Sequence, residues 1–312
     1  MKNKFSLSEI QFIFDRIKQA PKQRVIQNFV LNLLIFVAFE IVNQFVQAIV
    51  MIVAMLPSML REFSESGAIT AEISGTSELL LMLFLTAVCI ALCFLYCLVI
   101  ERRPIRTMGL TKRRLIPDYL IGAVIGVGMM GAAVMLSWAG GGLRYIGAEN
   151  SIPWGTMLAF LCAWMIQGFS EELNFRGFFM MTLGTHNHRL SAVIGSSVLF
   201  AAAHLLNDGI SVWAVCNLTL FGLFAALYFL RTDSIWGIAA IHSMWNASQG
   251  NVFGLKVSGI NIPATFLHFE QTEGHTWLNG GAFGPEGGAA VTVVLLIGVI
   301  VMFLLPQRKT NA

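Results

Sequence analysis

Charge is scarce in this sequence. Only 12% of its 312 residues are Asp, Glu, Lys or Arg, about half the share usual in a soluble domain. Hydrophobic residues make up 56% of the chain and its mean hydropathy is +0.72. A soluble enzyme is thereby excluded; the composition is that of a polytopic membrane protein whose length suits one helical bundle. Cysteine is sparse as well. Three of the five (Cys89, Cys93 and Cys97) share one helix face with no charged or hard ligand beside them. They read as small apolar residues rather than a metal site or disulfide framework. Phosphate loops, dinucleotide folds and nucleic-acid modules are missing, as is the zincin pattern His-Glu-x-x-His. No Ser–His pair sits in a motif, and Cys162 and Cys216 have no base near them in sequence. The first long apolar run starts near Phe29, behind a polar and basic segment, so a cleavable signal is not expected.

Long hydrophobic runs are abundant. Those able to cross about 30 Å of hydrocarbon fall near residues 29–56, 79–100, 119–139, 156–183, 190–206, 211–230, 234–249 and 289–306. The expectation is an all-α bundle of about eight transmembrane helices. Residues 5–18 carry Leu7, Ile10, Ile13, Phe14 and Ile17 as a stripe, with Ser6 and Glu9 spaced as a capping box. That pattern predicts an amphipathic helix lying at the membrane interface. Lys and Arg set the orientation. Sixteen of the 20 fall on one side of an eight-span arrangement, including six before residue 25 and six between Arg102 and Arg114. Arg61, Arg144 and Lys256 fall on the other side, and Arg176 lies within a span. Both termini are therefore expected in the cytoplasm. The chain divides into a cytoplasmic segment (1–28), two spans (29–100), a core (101–250), an extracytoplasmic Gly-rich loop (251–288), and a last span with a basic tail (289–312). That loop reads equally as a lid or a passive connector. The basic stretch 102–114 reads as a topology signal near anionic lipid rather than a nucleic-acid patch.

The exceptions to apolarity carry the chemistry. The run Gln167-Gly-Phe-Ser-Glu-Glu-Leu-Asn-Phe-Arg-Gly177 places two carboxylates and a guanidinium at membrane depth, where each ionisable group costs a few kcal/mol or more. Glu172 and Arg176 are four apart and can pair. Glu171 points about 100° away, toward the side of Gln167 and Asn174. Later spans add His204 in Phe200-Ala-Ala-Ala-His204, His242 and Asn246 in His242-Ser-Met-Trp-Asn246, and Asn217. Glu40, Asn43, Gln44 and Gln47 form a stripe expected to pack the first span against other helices. A carboxylate and an imidazole around one water can activate it. A second imidazole and an amide can stabilise the oxyanion formed at a carbonyl. A zinc site built from Glu171, His204 and His242 is chemically sensible too. So is a purely structural ion network.

These residues resemble the CPBP family, also called the CAAX-protease and bacteriocin-processing or Abi family, which includes type II CAAX prenyl endopeptidases. Its pattern Glu-Glu-x-x-x-Arg, Phe-x-x-x-His and His-x-x-x-Asn stands here as Glu171-Glu172-x-x-x-Arg176, Phe200-x-x-x-His204 and His242-x-x-x-Asn246. The loop Glu101-Arg-Arg-Pro-Ile-Arg-Thr-Met-Gly109 is similar to the family's lead-in, and the resemblance covers roughly residues 100–250. It implies an eight-helix intramembrane endopeptidase in a multi-pass, bacterial plasma-membrane setting. Its substrate would be a membrane-embedded or lipid-modified peptide, prenylated or leader-type, with no nucleic acid involved. It also implies roles. Glu171 and His204 would activate water, His242 and Asn246 would hold the oxyanion, and Glu172 and Arg176 would support them. The family has been described both as metal-dependent and as metal-independent and glutamate-dependent. The latter fits better, because the motifs offer no third histidine or carboxylate and Asn246 is a poor zinc ligand. Two other functions suit the same residues: a non-catalytic protein for bacteriocin immunity or partner binding, and a proton-coupled transporter.

Overall fold

A computed structural model describes residues 7–21, 23–67, 75–112 and 114–305, with side chains for all of these except 7–12 and 66. Helices dominate. In chain order they are α1 (Leu7–Lys18), α2 (Phe29–Ser66), α3 (Thr76–Leu85), α4 (Ala87–Leu95), α5 (Leu115–Ala139), α6 (Trp154–Glu172), α7 (Met181–His186), α8 (Arg189–Ala202), α9 (Val212–Thr232), α10 (Ile235–Ala247), α11 (Thr276–Asn279) and α12 (Ala289–Leu304). Wider π-helical turns extend α4 through Tyr96–Ile100, join α6 to α7 through Leu173–Met180, and prolong α10 through Ser248–Val252. Four stretches are long and apolar enough to cross a membrane: Phe29–Glu65, Thr76–Ile100, Leu115–Ala139 and Val212–Thr232. Together with the outward-facing Leu34, Ile41, Phe45, Val124 and Ile300, which are all exposed, they mark an integral membrane protein. Such side chains are stable on a surface only where lipid covers it.

Three elements differ from the sequence expectation. The first long helix does not stop at residue 56. It continues through Pro57 to Ser66 and ends on Gly67 at φ 71°, whose N–H caps the Phe63 carbonyl, the left-handed cap glycine supplies without strain. Helix α1 turns its apolar stripe onto the protein itself. Ile13, Phe14 and Ile17 are buried, with Phe14 against Gly184 of α7, and Arg16 pairs with Asp233 beyond α9. The capping box at Ser6 and Glu9 falls outside the described residues and side chains. Lastly, the molecule is not purely helical. Strand β1 (Leu143–Ala148) pairs antiparallel with β2 (Leu267–Gln271), Leu143 opposite Gln271 and Tyr145 opposite Phe269. An Arg144–Glu270 ion pair closes the exposed edge at 2.7 Å.

Close backbone contact positions the core. Helix α10 packs most extensively on α5 and α6, and glycine makes both approaches possible. A Cβ on Gly126 of α5 would stand 2.4 Å from the Ile241 carbonyl oxygen, and one on Gly168 of α6 would stand 2.5 Å from Ser243 Oγ and 2.7 Å from its backbone nitrogen. Neighbouring backbone cannot swing aside, so a methyl there forces the helices apart. Both contacts flank His242, which makes helix spacing and site geometry one constraint. Gly126→Ala is expected to destabilise the protein by about 1–3 kcal/mol. Gly128→Ala, on the same helix with open space around its Cβ position, should be neutral or mildly stabilising from helix propensity. Thermal unfolding of the two variants in detergent checks this; equal melting temperatures would refute the packing argument.

Candidate active site

Helix α6 carries the first half of the site, and its periodicity acts as the sequence predicts. Gln167 and Glu171 share one face, with Gln167 Nε2 donating to Glu171 Oε1 at 2.6 Å. Glu172 and Arg176 share another, Arg176 Nη1 donating to Glu172 Oε1 at 2.9 Å. Both members of that pair are wholly buried. The guanidinium lies 4.6 Å over the Phe200 ring, a cation–π contact that offsets part of its desolvation. The π-turn from Leu173 to Met180 lets the helix keep running while it re-aims the following side chains.

Helix α10 supplies the second half. His242 Nδ1 lies 2.8 Å from Glu172 Oε1, and its Nε2 faces Glu171 Oε2 at 3.7 Å. Because the carboxylate only accepts, Nδ1 carries the proton. One carboxylate oxygen thus ties an arginine on its own helix to a histidine on another. One turn on, Asn246 Nδ2 donates to Gln167 Oε1 at 3.0 Å. A continuous chain of contacts runs from Asn246 through Gln167, Glu171, His242 and Glu172 to Arg176. Glu171 keeps a quarter of its side chain exposed, and its Oε2 has no hydrogen-bond partner among the described residues.

His204 is not inside a helix as the span 190–206 implies. Helix α8 stops at Ala202, and His204 sits in the tightened turn that follows, its N–H bonded to Ala201 O at 3.1 Å. Its Nδ1 lies 2.8 Å from the Phe200 carbonyl oxygen. A carbonyl accepts only, so Nδ1 again carries the proton and the neutral ring presents a lone pair on Nε2.

All four predicted catalytic residues, Glu171, His204, His242 and Asn246, line one cavity of about 270 Å³, large enough for several waters. The stripe on α2 is its opposite wall. Glu40, Asn43, Gln44 and Gln47 all face the cavity instead of sealing a helix interface. Asn174 donates to Glu40 Oε1 and Gln47 donates to Asn43 Oδ1 at 2.8 Å. Sequence reasoning assigned that stripe to packing because a polar face looks the same whether it meets a helix or a wet chamber. The outer segment 251–288, read from the sequence as either a lid or a passive connector, contributes to the wall: Val257, Ser258 and Ile260 line the cavity. Asn217 does not reach the chamber of Glu171. It donates to the Glu286 and Gly288 carbonyls at 2.8 and 2.9 Å and anchors the outer segment. The alternative zinc set was tested on its donors. No group of three His, Cys, Asp or Glu side chains among the described residues is arranged to hold a metal ion. Cys89, Cys93 and Cys97 are buried free thiols on one face, as the sequence suggests.

Residues 153–248 match the family model described as type II CAAX prenyl endopeptidase Rce1-like. The match spans α6 to α10 and holds every motif residue, so the CAAX-protease resemblance read from the sequence stands in this segment. It covers under a third of the chain and leaves the outer segment outside it. No curated protein and no solved structure matches the chain.

Removing one member of a buried ion pair strands the other. Glu172→Ala leaves both Arg176 and His242 Nδ1 without their acceptor and is expected to cost about 3–5 kcal/mol. Denaturant unfolding in detergent, followed by tryptophan fluorescence, measures it; a loss below about 1 kcal/mol would show that the pair does not hold the helices.

Proposed function

We propose that this chain, whose 153–248 segment carries the Rce1-like CAAX endopeptidase family, is an intramembrane endopeptidase. It cuts a membrane-associated peptide, lipid-modified or leader-type, with water activated by Glu171 and His204. The observation that carries the reading is the convergence of Glu171, His204, His242 and Asn246 on one chamber large enough for several waters. A purely structural network has no need of a chamber.

The steps follow from the donor and acceptor inventory. The Glu171 carboxylate takes a proton from the water as the water oxygen bonds to the scissile carbonyl carbon, with the His204 Nε2 lone pair orienting that water. The carbonyl π electrons move to oxygen. The oxyanion accepts hydrogen bonds from the protonated Nε2 of His242 and from the Asn246 amide hydrogen not spent on Gln167. An imidazolium at His242 stands between the carboxylates of Glu171 and Glu172, so its charge is matched on both sides. Collapse breaks the C–N bond, and the proton held by Glu171 passes to the leaving amine. Glu172 and Arg176 keep the histidine proton on Nδ1 and the two helices in register. No metal is required in this sequence of steps. An eight-span arrangement with both termini in the cytoplasm, in a bacterial plasma membrane, is the topology that goes with it.

Glu171→Ala and Glu171→Gln should each reduce cleavage of a farnesylated fluorogenic peptide ending in Cys-aliphatic-aliphatic-X by at least about 10²-fold, the scale of general-base catalysis, while the protein stays folded in detergent. Retained turnover would reject the mechanism. Incubation with a chelator, followed by metal analysis of the active protein, should leave activity and find no stoichiometric zinc. Chelator-sensitive activity restored by zinc would favour the metal alternative instead. Pumping of protons in proteoliposomes, or an immunity phenotype that survives both Glu171 variants, would support the transporter or the non-catalytic reading.

A further inference from the structure

The outer segment does more than connect α10 to α12. Residues 256–260 are clamped from two sides. Asn207 Nδ2, in the turn that holds His204, donates to the Ser258 carbonyl at 3.1 Å, and Gly259 N–H donates to Phe283 O at 2.8 Å. Gly259, at φ 91°, lies where a Cβ would stand 2.3 Å from the Asp208 carbonyl oxygen. This double clamp delivers Glu286 from the short turn Pro285–Gly287 into the protein interior, where it is buried. Three donors converge on one of its oxygens. Ser258 N, Ser258 Oγ and Gln249 Nε2 lie 2.6, 3.0 and 3.1 Å from Oε2. Among the described residues no donor reaches Oε1.

Glu286 also lines a small chamber of about 20 Å³ together with His204, His242, Ser258, Phe200 and Phe221. Its volume admits one water, and its polar walls supply the two or more partners such a water needs. His204, His242 and Ser258 also line the large cavity. They therefore form a wall, with the reaction chamber on one side and a buried carboxylate on the other.

We propose that Glu286 is a positioning residue for His204, holding the imidazole through a single buried water and balancing the positive charge that gathers on the ring when it engages the attacking water. The proposal rests on the reading that Glu171 and His204 activate that water. Tautomer chemistry supports it. With Nδ1 committed as donor to the Phe200 carbonyl, any proton shift at His204 occurs at Nε2. A fixed carboxylate behind the ring is a preorganised counter-charge for that shift. Burial pushes the Glu286 pKa up, while the hydrogen bonds from Ser258 and Gln249 oppose that rise. The alternative is a strut, in which Glu286 merely ties Ser258 to Gln249.

Glu286→Gln separates the two, because its amide oxygen still accepts from Ser258 while the charge is gone. In the full-length protein in detergent, kcat on the farnesylated peptide should fall roughly tenfold or more, with KM within about twofold and an unchanged melting temperature. The ring ¹⁵N resonances of His204, identified in histidine-labelled protein by their loss in His204→Ala, should shift in Glu286→Gln. A kcat within about twofold of wild type, or unmoved His204 resonances, would overturn the proposal in favour of the strut. Should Glu286→Gln fail to fold, Glu286→Asp takes its place: it keeps the charge but shortens the reach, and unmoved His204 resonances in it are equally fatal. If wild type leaves the peptide uncut, or Glu171→Ala still cuts it, the protease reading itself fails, and the His204 resonances alone then decide whether Glu286 acts on that ring.

Discussion

The Glu172 carboxylate, sealed from solvent and lipid alike, accepts from Arg176 on its own helix and from His242 on α10. Ions at this depth survive only when paired and hydrogen-bonded, and the rest of the site is arranged around that requirement. The pair fixes which face of α6 looks at α10. Once that face is set, Glu171, one residue earlier, has to look elsewhere, and the only open direction is the cavity. Gln167 then spans the gap between Glu171 and Asn246. A structural necessity, neutralising Arg176 inside the bundle, thus leaves one carboxylate outside that pair and lining the cavity.

Such an arrangement tolerates little movement. The histidine must reach Glu172 with one nitrogen and the chamber with the other, so α6 and α10 have to lie in near backbone contact. Gly168 and Gly126 provide that contact on either side of α10. In lipid, where apolar side chains gain nothing by leaving one solvent for another, small residues and polar cross-links set helix spacing. Both devices are concentrated here on the one helix that carries His242 and Asn246. The two halves of the site are accordingly built by short-range geometry between neighbouring helices rather than by flexible loops.

His204 and the outer segment follow a different logic. The histidine sits just past the end of α8, where the backbone turns tightly and its ring is steered by its own helix's last carbonyl groups. What backs it comes from almost the far end of the chain. Asn217 grips the Glu286 and Gly288 carbonyls, and the β1–β2 ladder ties the same segment to the chain beyond α5. The wall of the chamber is therefore shared between the segment that matches the family model and an outer segment that lies beyond the match.

Membrane insertion, the Glu172–Arg176 pairing and the opposed direction of Glu171 were legible in the sequence. Composition and a 3.6-residue repeat act locally and need no knowledge of neighbours. The motif residues could be named for the same reason, since each stands out against an apolar background. What the sequence left undecided was every relation between distant segments: that α2's polar stripe lines a cavity, that α1 docks into the bundle, that His204 ends a helix rather than sitting within one, and that a glutamate among loop glycines is carried into the core. Those outcomes depend on which surfaces meet. Only the packed tertiary structure, through close backbone contacts and buried charge matching, makes that choice.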